Sequence, residues 1–406
     1  MKYDLETLID RRGHDAIAVD AIGSDVFKGE VPRAPKEGFD CIPLWVADMN
    51  FPTAKSVTDA IIARAQHPAF GYFSPSKEYF KAIIDWHKRR KGVTDLKPEH
   101  IGYENGVLGG VLSAMKVLAA PGDAVLLHSP TYVGFTKTLT NNGYNIVHSP
   151  LVKDEEGTWR MDYEDMDRKI KDNHIHVAVF CNPHNPCGRA WTEEEIRKAM
   201  EVYEKNDVWV ISDEIWSDLL MNGHQYTPVQ SVSEWAKMHT CAFYAPSKTF
   251  NLAGLVGSYS VIYNKYIRER VHSVGNKTVY NSMNVLSMHA LIGAYSDEGD
   301  DWLNQILEVI SANVNFAADY VRDHFEGVSV FRTEGTYMMF LDCSEWLEKH
   351  NMDKQALMEL GWDHGIAWQD GKWFQDPNSI RLNLASPTHR IQEAFRRMDQ
   401  YVFNRE

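Results

Sequence analysis

Four short apolar runs constrain this chain more than any other feature. They are DAVLLHSP (123–130), HVAVFCNP (176–183), VWVISDE (208–214) and TCAFYAPS (240–247). Each ends in turn or polar residues, and none alternates between apolar and polar positions. Runs of this kind read as strands buried on both faces, the pattern of a parallel sheet. Helical patterns lie between them. Thr192 and Glu195 form a capping box that opens TEEEIRKAMEVYEKND, and Leu108, Val111, Leu112 and Met115 fall at helical spacing before Pro121-Gly122. Strands alternating with helices predict an α/β fold with a mainly parallel sheet. The last hundred or so residues change character, with longer helical stretches such as WLNQILEVISANVNFAADYVRDHF and isolated strands YMMFLD and SIRLNLAS. They predict a smaller α+β domain. The expected division is 1–48 as an N-terminal arm and part of the small domain, 49–290 as the large domain, and 291–406 as the C-terminal small domain.

Composition narrows the function classes. Acids outnumber Lys and Arg by 56 to 42, a net charge of −14, which argues against nucleic-acid or anionic-membrane partners. The five cysteines form no CxxC pair and the 17 histidines no HExxH motif, so no metal site is expected. The polar opening MKYDLETLIDRRGHD is unlike a signal peptide, and no apolar run reaches the roughly 18 residues of a membrane span. A cytoplasmic location is expected.

In an open parallel sheet, ligands gather beyond the carboxyl ends of the strands. Here those ends carry Asn182 and Asn185 in NPHNPCGR, Asp213 in ISDEIW, and Lys248 in YAPSKTFNLAGL. Lys248 on its own reads by default as a solvated charge, with a buried amine suited to covalent chemistry as the alternative. The segment GVLGGV (106–111) lacks the G-x-G-x-x-G spacing of a dinucleotide site. Its glycine nevertheless precedes a helix, so the Val107 and Leu108 amides are candidate phosphate donors.

Taken together, these motifs resemble the fold type I pyridoxal-phosphate (PLP) enzymes of the aspartate aminotransferase superfamily, class I/II. The nearest likeness is to the C–S lyase branch that includes cystathionine β-lyase-like proteins. The resemblance runs nearly end to end, through IDRRG, WVADMNFPT, AFGYF, HSPTYVGF, CNPHNPCGRAWT, ISDEIWSDL, APSKTFNLAGL, EGTYMMFLD and SIRLNLASP. It implies that Lys248 holds pyridoxal 5'-phosphate covalently and later moves protons at the substrate Cα. Asp213 would keep the pyridine nitrogen protonated, Asn185 would donate to the ring 3-oxygen, and Tyr132 would stack on the ring. Val107, Leu108 and Ser247 would bind the phosphate. Tyr72 would reach the phosphate of a neighbouring subunit, which implies a homodimer with shared active sites, and Arg381 would clamp the substrate α-carboxylate.

Three departures from the superfamily pattern stand out. Val256 occupies the position of a phosphate-binding Arg, Ala245 that of a common Ser, and Trp216 that of a Tyr or His facing the 3-oxygen. Indole offers one N–H donor and no acceptor, so Trp216 bears on how the cofactor is tuned. The resemblance implies a β-eliminating lyase acting on cystathionine or another cysteine S-conjugate to give pyruvate, ammonia and a thiol. An aminotransferase is the alternative, and a regulatory protein that keeps the fold without turnover is a second.

Overall fold

The structure, a computed structural model, describes residues 2–24, 31–279 and 281–404. Its centre is a seven-stranded sheet of β1 (Ile101–Glu104), β2 (Ala124–Ser129), β3 (Asn145–Pro150), β4 (Val177–Cys181), β5 (Trp209–Asp213), β6 (Thr240–Tyr244) and β7 (Ser258–Val261). The spatial order is β1-β7-β6-β5-β4-β2-β3. Only β7 pairs antiparallel, with β1 and β6; every other pairing is parallel. All four predicted apolar runs are strands of this sheet.

Both faces of the sheet are covered, which is why its strands lack an apolar–polar alternation. Within β4, Ala178 and Phe180 join a core with Leu126, Val210, Ile196 and Tyr203 on one side. Val177, Val179 and Cys181 join Val111, Val125, Phe135 and Phe243 on the other. Successive side chains of a strand point to opposite faces, so one run of five buried residues feeds two cores. Each large apolar side chain among them contributes about 1.5–3 kcal/mol by leaving water. The helix Glu193–Lys205 opens with the predicted capping box, Glu195 N–H donating to Thr192 Oγ1 and Thr192 N–H to Glu195 Oε2.

A second, four-stranded antiparallel sheet holds β8 (Ser329–Val330), β9 (Met338–Asp342), β10 (Gln369–Asp370) and β11 (Ser379–Asn383), in the order β8-β9-β11-β10. The two strands expected in this part of the chain are β9 and β11. The 28-residue helix Asp297–His324 supplies Trp302, Ile306, Ile310 and Val314 to a core shared with Trp86, Phe250, Met338 and Ile380. Ile42–Pro43 runs parallel to Ile366–Ala367, so the N-terminal segment packs with the C-terminal part of the chain. The division at 48/49 and 290/291 stands as our proposal.

The five cysteines are free thiols. Among the described residues no helix is long and apolar enough to cross a membrane, and no group of three or more His, Cys, Asp or Glu could hold a metal.

Candidate active site

The parallel strands deliver their functional residues to one cavity of about 310 Å³. Asp213 is the last residue of β5, directly opposite Cys181 at the end of β4. Asn185 follows β4 between two cis X–Pro bonds, Asn182-Pro183 before it and Asn185-Pro186 after it. Lys248 lies in the single turn Pro246–Thr249 just beyond β6, and Tyr132 precedes the helix Val133–Asn141 beyond β2. These four residues line the cavity with Ala47, Val107, Leu108, Trp216, Ser247 and Val256. Of the residues predicted for a site, all but Tyr72 belong to this cavity or, in the case of Arg381, bond to its wall.

The helix Gly106–Leu118 points its first turn into the cavity. Gly106 has φ +74°, a left-handed conformation that a side chain would strain. The bend exposes unpaired N–H groups and the positive end of the helix dipole to the cavity, a setting for an anion. Across from it, Val256 adopts φ 45° and ψ 79° and presents an aliphatic side chain where the related pattern has a guanidinium. Ala245 is buried outside the lining. Gly134 is required for a different reason: a Cβ there would lie 2.3 Å from the Tyr132 ring and 2.9 Å from Leu108. Its absence lets the Tyr132 ring settle against the cavity wall.

Lys248 donates from Nζ to the Ala47 carbonyl at 2.7 Å, and the same oxygen accepts from the Tyr337 hydroxyl at 3.1 Å. Tyr337 is fully buried and meets Trp216 edge to face at 4.8 Å, while Lys248 Nζ lies 5.7 Å from the Trp216 ring centre. Burial, followed by the nearby Arg381 charge, brings the Lys248 amine down to about 8, against the opposing pull of Asp48 and Asp213. Burial also raises Asp213 to about 7, although the Ile215 N–H and Lys248 favour its charged form. A buried acid and a buried amine are thus both brought close to neutral pH, a pattern typical of catalytic sites.

Arg381, in the middle of β11, is 3% exposed and does not line the cavity wall. It reaches the site through Asn185, donating from Nη1 to Oδ1 at 3.2 Å. That bond fixes the Asn185 amide, so its nitrogen is the donor left for a ligand. Tyr72 lies away from this cavity. It is completely exposed, beside Phe70 and Phe73, which are 57% and 38% exposed.

The segment 45–51 contributes in a way its side chains do not announce, although WVADMNFPT is among the matching motifs. It acts through its backbone. The Trp45 carbonyl accepts from Arg381, the Val46 carbonyl from Asn383, and the Ala47 carbonyl from Lys248 and Tyr337. Asn251 ties the segment down, accepting from Met49 N–H and donating to the Met49 and Phe51 carbonyls. A side-chain motif carries no mark of which carbonyl it will present. Tyr337 is a second site residue that sequence reasoning misses, although EGTYMMFLD contains it.

Comparison with known proteins agrees with this geometry. The family model for aminotransferase class I and II matches residues 40–398. The chain is 32% identical over 368 residues to the cystathionine beta-lyase PatB of Bacillus subtilis, covering 88% of this chain and 92% of that protein. Cystalysin from Treponema denticola, solved with a pyridoxal 5'-phosphate cofactor, superposes with a TM-score of 0.89 at 30% identity, over 98% of both chains. The PLP-bound C–S lyase from Staphylococcus hominis does so with 0.87 at 27% identity, again over 98% of both. The predicted fold and family therefore hold, and the chain belongs to the aminotransferase class I and II family.

Proposed function

We propose that this protein is a PLP-dependent lyase that cleaves the Cβ–S bond of cystathionine or another cysteine S-conjugate. One observation carries the reading: a single cavity gathers the Lys248 amine, the buried Asp213 carboxyl, the Asn185 amide and an open helix N-terminus. The names of PatB, cystalysin and the Staphylococcus C–S lyase support the lyase branch.

The residues present fit the cofactor. The turn at Gly106 offers amides to a phosphate, Ser247 adds a hydroxyl, and among the described residues Lys248 and Asp213 are the only amine and carboxylate in the cavity wall. Bound PLP supplies an aldehyde that condenses with amines and a ring that accepts the electron pair left at the substrate Cα. Lys248 would be the residue that holds the cofactor. Its amine, which donates to the Ala47 carbonyl, would keep its lone pair for the Cα proton. Asp213 would hold the proton on the ring nitrogen, and Asn185 would donate to the ring oxygen. Tyr132 would pack against the ring, while Arg381 would bind the α-carboxylate. Loss of the Cα proton and of the β-thiolate, followed by hydrolysis, converts the conjugate and water into thiol, pyruvate and ammonium.

Two residues favour elimination over amine transfer. Val256 leaves the phosphate end one cation short, so a cofactor not attached to Lys248 is held less firmly. That suits a reaction returning it to Lys248 in every cycle. Trp216, 2% exposed, adds apolar bulk beside the cavity. Trp216→Tyr is expected to fold, at a cost of about 0.5–3 kcal/mol from the space left by the smaller ring, and to raise the share of amine transfer from alanine-like substrates. Trp216→His should retain elimination with a shifted pH dependence of cofactor absorbance. Pyruvate release from cystathionine and keto-acid-dependent amine transfer, measured side by side in the three proteins, test this. Rapid amine transfer by the parent without pyruvate from any conjugate would favour the aminotransferase.

The exposed aromatic run Phe70, Tyr72 and Phe73 supports a homodimer, since clusters of exposed large aromatics mark interaction surfaces. In this reading the partner subunit's Tyr72 hydrogen-bonds the cofactor phosphate. Tyr72→Phe should weaken cofactor retention by about 0.5–1.5 kcal/mol, or up to about 3 if the lost bond is charge-assisted. Cofactor dissociation measured by dialysis and absorbance checks it; a monomer with full cofactor occupancy contradicts it.

A further inference from the structure

Arg381 is a buried cation with no carboxylate partner among the described residues. Its guanidinium lies on the Phe374 ring, 4.5 Å from the centroid, and donates to Asn185 Oδ1, the Trp45 carbonyl and Gln369 Oε1. Its Nε has no partner although it is buried. Unpaired buried charge is costly, so three neutral oxygens hold the group in place while one donor stays unmet.

These three acceptors are not equivalent. The Trp45 oxygen is backbone in a segment held by Asn383 and Asn251, and Asn185 is 3% exposed in the Asn-Pro turn. Gln369 is the least enclosed of the three. It is half-buried on the two-residue strand β10, directly across from Arg381 in the register, and its amide is the end of a flexible side chain. A further cavity of about 90 Å³ borders it, walled by Trp45, Trp362, Trp368 and Trp373. An sp² amide oxygen on a guanidinium takes the position that one oxygen of a carboxylate would take.

We propose that Gln369 is a specificity-determining latch: its amide oxygen occupies the substrate-carboxylate position on Arg381, and an incoming carboxylate must displace it toward the adjoining cavity. The latch keeps the buried guanidinium hydrogen-bonded between turnovers and sets a threshold that weak ligands do not cross. The inference rests on Arg381 being the carboxylate clamp of the proposed function.

The test is calorimetric binding of propionate to the holoenzyme at pH 8, with far-UV circular dichroism and melting to confirm folding. Gln369→Met keeps side-chain length without the amide oxygen, and Gln369→Ala removes the side chain; both are expected to bind propionate about fivefold more tightly. Gln369→Glu places a charged oxygen there, so binding should weaken by about tenfold or more and recover as pH falls and the new carboxyl protonates. For amino-acid substrates, KM should move in the same directions and by more than kcat. Folded Met and Ala variants that bind propionate no better than the parent overturn the latch, provided Arg381→Leu abolishes binding. Binding that survives in folded Arg381→Leu overturns the clamp reading itself.

Discussion

Lys248→Ala is expected to lower lyase turnover by about 10²–10⁴-fold, the range for loss of a positioned acid–base group, and to abolish covalent attachment of the cofactor. Among the described residues Lys248 is the only amine in the cavity wall, so none of them stands ready to replace it. Its surroundings suit both roles, since burial and Arg381 bring the amine to about 8 and the Ala47 carbonyl orients one hydrogen. Borohydride reduction followed by peptide mapping should place the reduced cofactor on Lys248 in the parent and nowhere in the variant. Label on another lysine, or turnover unaffected by the substitution, contradicts the assignment.

Asp213→Asn is expected to act in opposite directions on activity and on the stability of the cofactor-free protein. Activity should fall by about 10²–10³-fold, because an amide cannot hold the ring nitrogen in its protonated form by charge. Stability of the cofactor-free protein should rise at pH 8. The sign follows from proton binding: the carboxyl sits at about 7 in the fold against 3.8 ordinarily. Between those values the folded state retains a proton that the unfolded chain has released. Stability therefore falls as pH climbs from 3.8 to 7 and is level above it, at a cost of about 4 kcal/mol. Asn has no such titration, so the variant should lose only the Asp213 share of the slope and melt higher than the parent at pH 8. It should keep the share from buried Glu214 and Glu104, raised to about 8 and about 7. The same change in melting temperature between pH 4 and pH 8 in parent and variant, or undiminished turnover in the variant, would contradict the role given to Asp213.

The residues most legible in the sequence were those that a parallel sheet places by rule. Asp213, Asn185 and Lys248 each follow an apolar run, and strand direction alone brings such ends together. Val107 and Leu108 were readable because a glycine before a helix marks an open N-terminus. Less legible were groups whose role depends on distant chain. The Ala47 carbonyl has no side-chain signature, and its use depends on Asn251 and Asn383 holding the segment. Trp216 was visible as a departure, but its edge-to-face contact with Tyr337 joins residues far apart in the chain. Gln369 meets Arg381 only through the register of β10 and β11, a two-residue pairing that no periodicity in so short a strand announces. Tyr72 is exposed in one chain, so its part in a site is a matter of assembly.

Incubating the holoenzyme with cystathionine and no keto acid, while following pyruvate, ammonium and free thiol against enzyme concentration, separates elimination from amine transfer in a single measurement. With elimination, all three products accumulate together through many turnovers per subunit, because each cycle returns the cofactor to Lys248. An aminotransferase without an amine acceptor halts after a stoichiometric half-reaction. Product that stops at the enzyme concentration and resumes only when a keto acid is added would contradict the lyase assignment.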